Sequence, residues 1–395
     1  MLVFAIRMLL GDSAKYSGVV AGILFTTFLI THLLSMFVGL ISRTYAVVSD
    51  IPAAQVWVMD PAVDYADEIA GLPPTTVERV RGVEGVQWAV PLFTGMLRTR
   101  LSSGHFRNVQ VIGVDDASLI GCPSASSLIG CTPDDLRRAD AAIVDEAAAD
   151  TFLRQAVNPL RHGPMDRAAP TRPLVIGDEL AINDHRVIVV GFCRIAPRFM
   201  FRPTLYMTYP HALAVAPRER NLLSFVLASP APGVSPAVLA ERIHAATGLR
   251  ARTASQFKAD TAWYVTENGG VIVRLGIMVG IAVVVGAIMT GLLLYLFTVE
   301  NLRAYGTLKA LGASTSLVVR MVSVQALLAG AVGYGLGSGL SAALGWLMVR
   351  IDQPYLLVWQ TLAATAVIVL LVCLLAGTFS ALKVVRTDPN IVFKT

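Results

Sequence analysis

The chain has 395 residues, 55% of them hydrophobic and only 15% charged, with a mean hydropathy of +0.63; a typical soluble domain carries about 25% charged residues. These values exclude an ordinary soluble enzyme, a disordered chain and a disulfide-dense secreted module. The formal charge of +5 arises outside residues 43–274, because that segment holds 23 basic and 23 acidic side chains. The basic excess therefore reports membrane topology and lipid-facing charge, and it does not point to nucleic acid.

In chain order, residues 1–15 form an amphipathic start, and 16–42 is the first of four runs without Asp, Glu, Lys or Arg. The others are 275–299, 321–349 and 353–382. Each is long enough to cross a hydrocarbon core of roughly 30 Å, which needs about 20 apolar helical residues. A cleaved signal peptide is the competing reading of the first run, with Thr44 and Ala46 as small residues near a cleavage point. The run is too long for that, since a signal core spans about 7–15 residues. The expected fold class is thus an α-helical integral membrane protein with four transmembrane helices and a large mixed α/β extracytoplasmic domain at 43–274.

Lys and Arg near span ends stay in the cytoplasm. Arg7, Lys15, Arg303, Lys309, Arg320, Lys383, Arg386 and Lys394 fall on one side of the four-span arrangement, and only Arg350, close to Asp352, falls in the short loop 350–352 opposite. Both termini, the loop 300–320 and the tail 383–395 are therefore expected inside, and 43–274 outside.

Within 43–274, strands are expected at Gln55–Met59, Val86–Phe93, Val109–Val114, Ala142–Val144 and Arg186–Phe192, where β-rich runs are broken by Gly, Pro and Asp. Helices are expected at Glu146–Gln155 and Pro236–Thr247, the second capped by Ser235 with Pro236 at its first position. Asn158–Pro173, rich in Pro, Gly and Arg, reads as a surface loop.

Eight residues separate Cys122 and Cys131 in CPSASSLIGC. The pair reads as two small packing residues, as a metal fragment, or as a local disulfide in an oxidising compartment; the disulfide is the expectation for an exported domain. Cys193 and Cys373 read as packing residues. The histidines have no zinc-site spacing, so no metal is expected, and no phosphate-binding loop or nucleophile elbow is present. His32, inside the first span, has no acidic partner in any span, which favours a packed neutral ring over a proton relay. Glycines at small-xxx-small spacing, Gly18 with Gly22 and Gly276 with Gly280, and the series Gly333, Gly335, Gly337 and Gly339, are expected to pack helix against helix.

The loop Glu300-Asn-Leu-Arg-Ala-Tyr-Gly-Thr-Leu-Lys-Ala-Leu-Gly-Ala-Ser314 places Leu302, Tyr305, Leu308 and Leu311 at near-helical spacing, with Glu300 and Arg303 at i and i+3. Gly312 suits a left-handed helix end and Ser314 the cap of the next helix. A short amphipathic helix follows, resting either on lipid or on a partner.

This loop closely resembles the one between the second and third spans of the MacB/FtsX-like ABC-transporter permeases, most like the DevC-type branch. Val56-Trp-Val-Met-Asp60, Val86-Gln-Trp-Ala-Val-Pro91, Val111-Ile-Gly-Val-Asp-Asp116, Ile143-Val-Asp-Glu146 and Asp388-Pro-Asn-Ile-Val-Phe393 share the resemblance, as does the span order of one, external domain, then three. Asn268-Gly-Gly-Val-Ile272 with Arg274 departs from it, as does the Cys122/Cys131 pair. The resemblance implies a homodimeric permease in a bacterial inner membrane, with no catalytic residue of its own. Its partners would be a separate ABC ATP-binding subunit holding ATP and Mg, an external adaptor (membrane fusion) protein and an outer-membrane channel. It further implies that Leu302, Tyr305 and Leu311 enter a cleft of the ATPase, that Arg303 and Lys309 meet its acidic rim, and that Gly312 fixes the helix end. Regulation of a cell-envelope partner is the other role found in the superfamily.

Overall fold

The computed structural model describes residues 13–157, 170–199, 202–217 and 222–386, the side chains of 13–15, 309–310 and 382–386 excepted. Arg7, Lys394, most of the loop expected at Asn158–Pro173 and the motif Asp388–Phe393 lie outside the described residues. The chain divides into two compact units, one formed by residues up to 40 together with those from 269 onward, the other by residues 41–268.

The first unit contains α1 (Ser13–Thr44) as far as residue 40, α8 (Gly270–Glu300), α9 (Leu302–Ala310), α10 (Thr315–Arg350) and α11 (Trp359–Arg386). Four of these hold stretches long and apolar enough to cross a membrane: Tyr16–Thr44, Gly270–Glu300, Thr315–Arg350 and Trp359–Ala381. The last begins later than the expected span of 353–382. Pro354 has no N–H and biases the residue before it away from helix, and residues 353–358 instead pack into the bundle. Leu356 N–H donates to the Ser35 carbonyl (3.1 Å), and the Tyr355 hydroxyl donates to that of Ser341 (2.8 Å). The His32 ring lies between Phe28 (5.4 Å) and Tyr355 (5.3 Å), as a packed ring.

Small residues set the helix contacts, but only some of those expected. Gly333 and Gly337 are buried against Ile23, Leu24 and Thr27 of α1, and Gly22 lies against Leu293 of α8. Gly276 meets only the edge of Phe37 at 3.7 Å from a built Cβ. Gly18, Gly280, Gly335 and Gly339 face open space and pack nothing, which corrects their expected role. Residues two apart on a helix point to opposite sides, so Gly335 and Gly339 cannot share the face of Gly333 and Gly337. Gly286, which no pattern singled out, receives Thr26, whose hydroxyl lies 3.2 Å from that of Thr290.

The second unit is built on a ten-stranded sheet. Its strands are β1 (Val56–Met59), β2 (Val86–Arg100), β3 (Phe106–Val114), β4 (Leu128–Ile129), β5 (Ala141–Asp145), β8 (Glu179–Ile182), β9 (His185–Cys193), β10 (Thr204–Thr208), β11 (Phe225–Pro230) and β12 (Arg250–Thr253). The spatial order is β12-β1-β11-β2-β3-β10-β5-β9-β4, with β8 pairing β2 and β9. Strands β6 (Gln155–Ala156) and β7 (Thr171–Arg172) form a separate ladder. That ladder corrects the helix expected over Glu146–Gln155: the helix α4 (Glu146–Asp150) stops after one turn, and Gln155 pairs with Arg172.

Alternation explains the central strands. In β1, Val56 and Val58 enter one core cluster while Trp57 and Met59 enter another on the opposite face, as period-2 side chains must. In β11, Phe225 and Leu227 join Trp57, and Val226 and Ala228 join Val56. Trp57 meets Phe225 edge-on at 5.4 Å and Phe257 at 5.7 Å. The remaining helices are α2 (Ala46–Asp50), α3 (Thr76–Arg81), α5 (Tyr209–Val215), α6 (Pro236–Thr247) and α7 (Ala254–Asn268). Helix α6 starts at Ser235, whose hydroxyl accepts from Val238 N–H (3.3 Å), and ends at Gly248 with φ of +71°.

Cys122 and Cys131 are both free thiols, which corrects the expected disulfide. Both sulfurs are taken up by packing. Cys131 lies over Gly191, where no side chain intervenes, and Cys122 packs on the cluster around Trp57. Burial pushes the Cys122 thiol up to about 12, so little reactive thiolate forms at neutral pH. Alkylation of Cys122 is therefore expected to be slow in the folded protein and complete on unfolding without reductant; a disulfide-linked peptide in the unreduced digest would refute this.

Candidate functional site

The helix α9 is a short rigid insert between two spans. Asn301 closes α8, its side-chain amide donating to the Phe297 carbonyl (2.8 Å). At the other end Gly312 takes φ of +90°, and Ala313 N–H donates to the Leu308 carbonyl (3.0 Å). That bond spans five residues and is the signature of a Schellman ending, which glycine adopts without steric cost. Two residues on, the Ser314 hydroxyl accepts from Leu317 N–H (3.4 Å) and starts α10.

The two faces of α9 have different fates. Tyr305 has no exposed surface; it packs with Val318, Met321, Val322 and Ala381, and its hydroxyl donates to Oε1 of the buried Gln325 (2.8 Å). Leu302 and Leu308 are half-buried on the same cluster. This corrects the expectation that Tyr305 enters a partner's cleft, because the chain's own α10 and α11 already cover it; Leu302 is only partly covered. The sequence spacing correctly groups the apolar residues but does not say which side is buried internally.

The opposite face carries Arg303, Ala304 and Thr307, with Leu311 just past its last turn, all exposed, as is Glu300 at the end of α8. Arg303, Thr307 and Leu311 follow one another at four-residue steps along one stripe, and Leu311 is 80% exposed. Lys309 belongs to the helix, but its side chain lies outside the described residues. The stripe thus sets one apolar knob, Leu311, beside a cation, Arg303.

Removing the Tyr305 hydroxyl should loosen α9 from α10. Leaving a buried acceptor without its donor costs about 1–3 kcal/mol. Tyr305→Phe is thus expected to speed hydrogen exchange across Leu302–Ala310 while exchange in β2 stays unchanged; equal protection in the variant would show that apolar packing alone holds the helix.

Residues 18–246 match the family model described as the MacB-like periplasmic core domain, and residues 276–389 match the one described as the FtsX-like permease C-terminal domain. The first match spans more than half of the chain, and the protein belongs to the MacB/FtsX-like permease family, the membrane component of ABC transporters. Among solved structures, the extracellular domain of the noncanonic ABC-type transporter YknZ from Gram-positive bacteria aligns over 51% of this chain and 98% of its own, at 13% identity and a TM-score of 0.31. The periplasmic region of MacB from Actinobacillus actinomycetemcomitans aligns over 54% and 96%, at 11% identity and a TM-score of 0.35. A comparison with curated proteins gives no match.

Proposed function

We propose that this chain transmits ATP-driven motion from a separate ATPase subunit, docked on the outward stripe of α9, to the α/β unit at 41–268. The observation that carries this reading is the combination of an exposed Arg303–Thr307–Leu311 stripe with a helix fixed at both ends and pinned from behind by Tyr305. Only a rigid insert passes a push on its surface to the adjoining spans. ATP and Mg bind on the partner, and no residue of this chain is catalytic.

The DevC-like motifs support export with an external adaptor protein and an outer-membrane channel, and a homodimer in a bacterial inner membrane. The basic flanks support both termini and Ser314 inside and 43–274 outside. Purification of the intact membrane complex, with identification of its companions, tests the assignment: an ABC ATPase is expected, and a hydrolase or kinase in its place would favour regulation of a cell-envelope partner. Reporter fusions at Asn183 and Ser314 should give opposite compartments; the same compartment for both would overturn the topology.

A further inference from the structure

We propose that the end of the β2–β3 hairpin is a docking surface for an acidic patch on an external partner protein. The proposal rests on the reading above that such a protein engages this unit, and it names the chemistry of the contact. Residues 85–114, which hold both strands, contain no Asp or Glu, while Arg98, Arg100 and Arg107 crowd the hairpin end. Leu97 and Thr99 turn inward and are buried, so Arg98 and Arg100 share the outer face, where both are exposed. Opposite them on β3 stand Asn108 and Phe106, also exposed. Arg107 pairs with Thr99 and belongs to the other face.

Among the described residues, none of these three arginines has a hydrogen bond or an ion pair from its side chain. Elsewhere in the same unit Arg137, Arg172, Arg194 and Arg250 each hold a carboxylate. Arg98 instead lies over the Phe106 ring, 4.4 Å from its centroid. The adjoining β8–β9 hairpin carries two acids near this face. Glu179 is held by Arg186, and Asp184, in the turn, forms no ion pair with Arg98 or Arg100. Opposite charges across a strand pair would steady such a surface. Here two like charges stand about 7 Å apart along one strand, beside a ring that is 47% exposed. The arrangement repels itself within the chain, and an added pair of carboxylates relieves it.

Two guanidinium forks accept two carboxylates through paired N–H···O bonds. Phe106 adds an apolar contact that an anionic polymer or a lipid headgroup does not use, and arginine beside an aromatic ring is the combination enriched in protein–protein contacts. Position along the strand favours a protein as well. Leu92 packs in one cluster with Val47 of α2 and Phe257 of α7, the two helices of this unit that adjoin spans in sequence. Arg100 lies farther along the same strand, about 26 Å beyond Leu92 at the usual rise per residue.

The test places a photoreactive benzoylphenylalanine at Asn108 of the full chain in its own cells, followed by purification and mass spectrometry of the cross-link. Capture of one external protein through a segment holding two or more Asp or Glu is expected. Arg98→Gln combined with Arg100→Gln should lower the yield about tenfold or more, with the thermal stability of the chain unchanged, because neither side chain has a polar partner to lose. Phe106→Ser should lower it too, while leaving its dependence on salt in place. Capture of lipid, of an anionic polymer or of a segment without acidic residues overturns the proposal. So does an external protein that copurifies but is not captured from position 108, or one whose capture the arginine variant leaves intact. Failure of any external protein to copurify with the unaltered chain overturns the reading on which the proposal rests.

Discussion

Leu311→Asp is expected to abolish association with the ATPase subunit while the amount of membrane-inserted permease stays normal. At 80% exposure Leu311 contributes little to the fold of its own chain, so the substitution is nearly silent there. In a contact that buries it, the same change removes an apolar anchor, worth about 2 kcal/mol or more, and buries a carboxylate without a partner. Arg303→Glu should act differently, slowing association and altering its salt dependence more than it shortens the lifetime of the complex. Copurification and permease-stimulated ATP hydrolysis should both fall in the Leu311 variant. A variant that retained both would show that the stripe rests on lipid.

Gly337→Leu is expected to prevent the membrane unit from assembling, whereas Gly339→Leu should be tolerated. A Cβ at position 337 would come within 2.5 Å of the Leu24 carbonyl and 3.0 Å of Phe28 N, both backbone atoms that cannot rotate aside. Separating α1 from α10 is the one way to admit the side chain. Overpacking a well-formed contact costs about 1–3 kcal/mol, and more where backbone must move. At position 339 a Cβ meets nothing within 4 Å. Thermal stability of the two purified variants checks the contrast, and equal stability would overturn the assigned packing faces.

That contrast also marks what could be read from the residues alone. The missing charge in four runs locates the apolar helices, because nothing but an apolar surrounding tolerates so few ionic groups. Glycine content does not locate their contacts: the informative signal was the four-residue spacing of Gly333, Gly337, Ser341 and Gly345, all of them buried. For α9, periodicity groups Leu302, Tyr305 and Leu308, yet only the folded chain reveals that Gln325, twenty residues away, receives the Tyr305 hydroxyl. Strands β1, β3, β5 and β9 follow from β-rich runs. Strand β12, Arg-Ala-Arg-Thr, contains no β-rich run; it pairs with β1, and its arginines meet Asp64 and Asp260. Long-range partners of this kind leave no local trace.

The length of β2 has a consequence for how faithfully the second unit folds. Its first half, Val86–Leu92, pairs with β11, and its second half, Phe93–Arg100, pairs with β3. One unbroken strand thus sets the alignment of both halves of the sheet. Sliding β2 by one residue would turn Leu92, Phe93 and Leu97 out of their clusters together, because every side chain on a strand changes face at once. A misaligned intermediate has no half that is locally correct, so the error is not stabilised anywhere. The strand works as a shared ruler, and a proline placed at Val109 or Val226, on the strands that read it, should disturb the far half as well as the near one.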